Sequence, residues 1–164
     1  MEKKNRKLPR LKDYNYSSNG KYFVTICVMY MKCVLSSIVG SGDPDAPQLH
    51  LSSLGIIVEN NILEMNKRYD EIKFEEFVIM PNHIHLIVDV NNNGASGSPL
   101  PTNSLLSRHI GTLKRFCNKE IGKNIWQTGF FDHIIRNEED YIYHLQYIQE
   151  NPRKWLIGKD KYYA

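Results

Sequence analysis

The sequence predicts an α+β fold: an antiparallel sheet with two helices on one face, followed by a further helix. Three observations predict it. Four stretches read as strands and three as amphipathic helices. They follow one another as β-α-β-β-α-β and then α. The segments between them are rich in Gly, Pro, Asn and Ser, the residues that break regular structure. This order is the ferredoxin-like split βαβ arrangement.

Each element has its own reason. From Lys21 to Met31, Tyr22, Val24, Ile26 and Val28 alternate with Phe23, Thr25, Cys27 and Met29. Both faces are apolar, as in a central strand. Residues 36–50 hold Gly40, Gly42, Pro44 and Pro47 and read as a loop or irregular hairpin. Ser52 or Ser53 can cap a helix reaching about Tyr69, with Leu54, Ile57, Val58, Ile62 and Met65 on one side. Phe74–Met80 and His83–Val90 read as strands joined at Pro81-Asn82, and residues 91–103 as a mobile loop. A basic helix is expected from Ser104 to Ile121, and a short strand between Trp126 and Ile135. The last helix is expected from Glu138 to Asn151 or a little beyond, packing on the sheet through Tyr141, Ile142, Leu145 and Ile148.

At 164 residues, with 41% hydrophobic and 24% charged residues, the chain suits one globular domain and is not disordered. We divide it into a basic N-terminal arm (1–20), one domain (21–157) and a C-terminal tail (158–164). The longest largely apolar run, Tyr22–Met31, falls short of the ~18 residues of a membrane helix. No signal-peptide pattern follows the basic start, so the expected location is cytoplasmic. Cys27, Cys33 and Cys117 cannot all pair and none lies in a C-x-x-C, which argues against a disulfide framework.

The net charge of +3 is unevenly distributed. Residues 1–16 carry +4, residues 103–123 carry +4 and residues 151–164 carry +3, whereas residues 59–90 and 124–150 each sum to −4. Basic segments around an acidic body point to a polyanion partner if folding brings them together.

Two features carry chemistry. In Met80-Pro81-Asn82-His83-Ile84-His85-Leu86 the two histidines project from the same strand face and could share one divalent ion. In the last helix Tyr143, Tyr147 and Asn151 lie four residues apart on one stripe. A phenol there can act as a nucleophile, and an amide oxygen as a hard ligand. Either feature alone has an ordinary structural explanation. Together with basic flanks they match tyrosine attack on a metal-polarised phosphodiester. No nucleotide-binding glycine motif is present.

The sequence resembles the REP-associated tyrosine transposases, relatives of the single-tyrosine insertion-sequence transposases in the His-hydrophobic-His nuclease superfamily. Three stretches carry the resemblance: Val78–Val88, Asn124–Asn137 and Tyr147-Ile148-Gln149-Glu150-Asn151-Pro152. It covers roughly residues 20–157 and implies a DNA transposase that cleaves and rejoins single-stranded, hairpin-containing DNA through a covalent 5′-phosphotyrosine. It also implies Mg²⁺ or Mn²⁺ as cofactor, His83 and His85 as metal ligands, Tyr147 as nucleophile and Asn151 as third ligand. Insertion-sequence relatives carry glutamine where Asn151 stands, so Gln149 and Glu150 remain alternative ligands, and Tyr143 is the rival nucleophile. His144 could assist proton transfer. Candidate phosphate contacts are Arg108, Lys114, Arg115, Arg136, Arg153 and Lys154, with Tyr14, Tyr16, Trp126 and Phe130 as aromatics able to stack on bases. Relatives include monomers and swapped homodimers, and a nucleoid-associated location follows from the substrate. Two other readings compete: a non-catalytic nucleic-acid-binding module on the same fold, and a metal-dependent phosphodiesterase without a covalent intermediate.

Overall fold

A computed structural model describes residues 19–40, 46–92 and 104–162. The N-terminal arm up to residue 18, with Tyr14 and Tyr16, and most of the loop at 91–103 lie outside the described residues.

The elements are β1 (Gly20–Cys27), β2 (Ser36–Gly40), β3 (Pro47–Leu51), α1 (Ser53–Arg68), β4 (Ile72–Ile79), β5 (His83–Val90), α2 (Leu105–Ile121), β6 (Phe131–Ile135) and α3 (Glu138–Leu156). Four strands form one sheet in the order β4-β5-β1-β6, and every neighbouring pair is antiparallel. With β5 and β1 central, this is the ferredoxin-like topology that the sequence predicts. The segment expected to be a loop or irregular hairpin is a regular two-stranded hairpin, β2–β3.

Period-two alternation divides the sheet into two faces. Val24, Ile26 and Val28 from β1 and its end join Ile84, Leu86 and Val88 of β5 in the main core. Val58, Ile62 and Met65 of α1 and Leu106, Ile110, Leu113 and Cys117 of α2 close over them. Each such side chain contributes about 1.5–3 kcal/mol through burial. The other residues of the same strands, Thr25, Cys27, His83 and His85, are also buried. They lie under α3, whose own buried residues are His144, Ile148, Asn151 and Trp155.

The helix caps follow the sequence. The Ser52 hydroxyl accepts from the Gly55 N–H, that of Ser104 from Ser107, and the Asn137 side chain from Asp140. Gly122 ends α2 with φ +85°, a left-handed position that suits glycine.

Four expectations need correction. The first strand stops at Cys27, not Met31, because Tyr30 and Met31 take left-handed φ values of 58° and 53° and turn the chain out of the sheet. The sixth strand begins at Phe131, not Trp126: Trp126 makes only an isolated bridge to Val28. The last helix runs through Pro152 to Leu156. Its buried face is also rotated from the expected stripe, for Ile142 is exposed while His144 and Asn151 are buried alongside Ile148.

Candidate metal and nucleophile site

The site is built where β5 and β1 run side by side beneath α3. Thr25 pairs with His85 and Cys27 with His83 across the ladder, so both imidazoles rise from the middle of the sheet. Just before them, the Met80 N–H donates to the His83 carbonyl at 2.9 Å, closing the Pro81-Asn82 turn.

The two Nε2 atoms lie 3.0 Å apart. The opposite edge of each ring is held. His83 Nδ1 lies 2.7 Å from Asn82 Oδ1, and Asn82 Nδ2 donates to the Tyr162 carbonyl at 2.8 Å. A carbonyl only accepts, so the amide oxygen faces His83, and His83 Nδ1 carries the proton. Its Nε2 is therefore a bare lone pair. His85 Nδ1 lies 2.8 Å from the Thr25 hydroxyl. Burial pushes the His83 imidazole down to about 3. Burial also holds His85 well below its ordinary value, helped by the charges of His83, His144 and Lys161. Both rings are thus neutral at pH 7, the form that ligates metals. For ~2.1 Å bonds at a right angle about an octahedral ion, two donor atoms stand about 3.0 Å apart, which matches the observed separation.

Asn151 supplies the second half of the fit. It is fully buried and lies beside the His83 ring and the Tyr147 hydroxyl. Yet neither its Oδ1 nor its Nδ2 makes a well-aligned hydrogen bond. A buried amide left unsatisfied costs about 1–3 kcal/mol, and a cation beside two neutral imidazoles would relieve that. The alternative ligands Gln149 and Glu150 are exposed, and Glu150 pairs with Lys154 at 3.3 Å.

Tyr147 is half-buried and meets His85 edge-on, with ring centroids 5.2 Å apart. Burial and the Asp160 carboxylate raise its phenol pKa, opposed by Asn151. Lys154 stands over its ring at 4.9 Å. The rival Tyr143 points outward and is 63% exposed.

A second group lies one turn earlier on α3. Donor atoms of His133, Asp140 and His144 all fall within 4.8 Å of one another, a spacing that could hold a divalent ion. His133 Nε2 meets Asp140 at 2.9 Å. His144 Nδ1 lies 2.8 Å from the Asp140 carbonyl, so this nitrogen also carries a proton. The rings of His133 and His144 stack at 4.6 Å, and His144 in turn packs on Phe23.

The candidate phosphate contacts fall on both sides of the sheet. Lys154 stands beside Tyr147, and Arg153 is its neighbour on α3. Arg136, at the end of β6, donates its backbone N–H to Asp140. Arg108 and Arg115 are exposed on α2, across the sheet from the histidines. The Lys114 ammonium donates to the carbonyls of Gln127 and Gly129 at 2.7 and 2.5 Å. Trp126 is buried in the core and Phe130 packs against it. Sequence reasoning passed over Thr25, Asn82, Asp160 and Tyr162 as parts of the site. Asn82, between the proline and the first histidine, was the one of these that motif position could have flagged.

No family model matches the chain. A Haemophilus influenzae protein of uncharacterised function is 34% identical over 164 residues, covering 89% of this chain and 87% of that protein. The Escherichia coli REP-associated tyrosine transposase is 34% identical over 88 residues, which is 54% of this chain and 48% of the relative. A second Haemophilus influenzae protein, a putative REP-associated tyrosine transposase by name, is 32% identical over 84 residues, 46% of this chain and 47% of that protein. The chain thus matches about half the length of the curated relatives that carry the transposase name. Among solved structures, a REP-associated tyrosine transposase bound to a REP hairpin superposes with a TM-score of 0.60 at 22% identity, covering 93% of this chain and 77% of that one. That likeness shows a shared fold. Among the described residues no helix is long and apolar enough to cross a membrane. The His-Ile-His strand, the tyrosine helix over it and the named relatives converge: the chain is similar in sequence over about half its length, and in fold over most of it, to REP-associated tyrosine transposases.

Proposed function

We propose that the chain cleaves and rejoins single-stranded DNA beside a hairpin, with Tyr147 as nucleophile and His83, His85 and Asn151 as ligands of Mg²⁺ or Mn²⁺. The observation that carries this is the convergence of two neutral Nε2 atoms, 3.0 Å apart, with a buried unsatisfied amide beside a half-buried tyrosine. A divalent ion held there would draw charge from the scissile phosphate and stabilise the charge that develops in the transition state. The Tyr147 oxygen attacks phosphorus and loses its proton to solvent. The bond from phosphorus to the 3′ oxygen breaks, and that oxygen takes up a proton. The phosphotyrosine ester conserves the bond energy, so a 3′ hydroxyl can reverse the step without a nucleotide cofactor. Lys154 beside Tyr147 and the neighbouring Arg153 suit the approaching phosphates, and Arg136 lies at the end of the adjoining strand.

The His83–His85 pair fits a catalytic ion better than the His133–Asp140–His144 group. In that group His144 Nδ1 is committed to a backbone carbonyl, and the Asp140 carboxylate already bonds the Arg136 N–H. The REP hairpin held by the solved relative makes hairpin DNA the substrate to test.

The deciding experiment mixes purified protein with single-stranded hairpin DNA from the flanks of its own gene, with Mn²⁺, Mg²⁺ or chelator, on a denaturing gel. The expected result is a metal-dependent, covalently shifted band, lost in Tyr147→Phe while DNA binding persists. Cleavage without a shifted band would establish a hydrolase instead. Binding without either would establish a non-catalytic module.

A further inference from the structure

We propose that Phe131 is a stacking site for an unpaired base of single-stranded DNA, beside the phosphate that Tyr147 attacks, a role resting on the reading of Tyr147 as nucleophile. Strand register places the ring. Thr25 pairs with His85 on one side and with Phe131 on the other, and directly paired residues project from one face of a sheet. The 2.8 Å contact between the Thr25 hydroxyl and His85 Nδ1 marks that face as the one beneath α3. His85, Thr25 and Phe131 thus form one row across β5, β1 and β6, with Phe131 last, on the edge strand. Helix α3 crosses these rows in step. His144 packs on Phe23 and His133, which pair with each other in the neighbouring row. Tyr147, further along, packs on Phe23 and His85. Asp140 meets His133 of β6 at 2.9 Å and lies seven residues before Tyr147, hence on the same side of the helix. Tyr147 therefore opens toward β6, at the level of Phe131.

The Phe131 ring is 51% exposed, whereas the aromatics just before it are taken: Trp126 is in the core and Phe130 packs against it. Edge strands commonly carry charged side chains that keep other chains off. A phenyl there instead offers a flat apolar face, held in place by the ladder to β1. Every base has a π face, so such a ring accepts bases with little regard to sequence. Phe131 stands two strand spacings, about 10 Å, from His85, a span that one nucleotide covers from phosphate to base. Charge sets the orientation of the bound strand. Lys154 stands over the Tyr147 ring at 4.9 Å, with Arg153 next to it on the helix, while Glu138, Glu139 and Asp140 fill the first turn of α3. Phosphates are drawn to the Tyr147–Lys154 level and repelled from the acidic end. The DNA backbone thus stays at the nucleophile, and a base reaches outward to Phe131.

The test measures binding of the full chain, in chelator, to fluorescently labelled hairpin DNA from the flanks of its own gene, with and without the single-stranded flanks. Phe131→Ala should bind the flanked hairpin about tenfold more weakly than wild type and the bare hairpin equally well. Phe131→Trp should restore the affinity, whereas Phe131→Leu, apolar but without a π face, should not. Abasic sites walked through the flank should cost the wild type most at one position and cost Phe131→Ala nothing there, since the stacked pair is already broken. If Phe131→Ala does not fold, the contrast between Trp and Leu carries the same test. Equal affinity of a folded Phe131→Ala protein for the flanked hairpin, an equal loss on both DNAs, or abasic losses that add to the substitution would overturn the proposal. The covalent-adduct gel separates the two readings. An adduct that forms normally while Phe131→Ala changes no affinity overturns the stacking site alone. A Phe131 effect confined to the flanked DNA, with no adduct at Tyr147, overturns the nucleophile and the placement of the base beside its phosphate.

Discussion

The two imidazoles that make the site useful are a burden to the metal-free protein, and pH exposes it. His83 is held at about 3 and His85 well below its ordinary value. His109 and His144 are lowered too, chiefly by burial. Between pH 6.5 and about 4 the unfolded chain takes up protons on His83 and His85 and the folded chain does not. Stability is therefore full above pH 6.5 and falls as the solution is acidified, by about 1.4 kcal/mol per pH unit for each ring. Urea denaturation of the metal-free protein from pH 7 to pH 4.5 should show this slope, and His85→Asn should remove about one proton's share. Mn²⁺ affinity, in contrast, should be nearly flat from pH 6 to 8, since no proton has to leave the folded pair.

At the scale of the elements, α1 is seated tightly at Gly55. A Cβ built on Gly55 would stand 2.1 Å from the Leu35 carbonyl oxygen, and that backbone is itself tied down. The Leu35 carbonyl accepts from the Ser52 N–H, and the Leu35 N–H donates to the carbonyl of Pro81, in the turn that launches β5. Gly55→Ala should cost about 1–3 kcal/mol by overpacking, read as a lower urea midpoint with an unchanged slope. Much of this level was legible in the sequence: the caps Ser52 and Ser104, the Pro81-Asn82 turn and the His-Ile-His alternation all stand where local chemistry puts them. The face of α3 was not. A hydropathy stripe favours Ile142 and Leu145, but the side of α3 over the histidines takes His144, packed on Phe23 of β1 and His133 of β6, and Asn151, beside His83 of β5. Nor could composition show that the chain past α3 returns to the site, since Asp160 and Tyr162 sit in a short polar tail. The end of β1 was misread because apolar Met29–Met31 continues the pattern while its backbone turns left-handed.

For the whole molecule, metal and fold should be linked. A ligand that binds only the native state at 100 times its Kd adds about 2.7 kcal/mol. For a chain of this size that raises the melting temperature by about 5–10 °C. Differential scanning fluorimetry with Mn²⁺ should show the rise, and His83→Ala should abolish it without any DNA in the tube. The layers also separate the basic surfaces: Lys154 lies with Tyr147 on α3, while Arg108 and Arg115 occupy the opposite helical layer. One feature reaches back into how the chain finds its fold. Because β5 alternates His83, Ile84, His85 and Leu86 between two covered faces, a slip of one residue against β1 would exchange all four. Two imidazoles would enter the hydrocarbon layer, and two aliphatic chains would enter the polar layer beneath α3. Either error is severe, so the pattern that builds the site also proofreads the pairing of the sheet's two central strands.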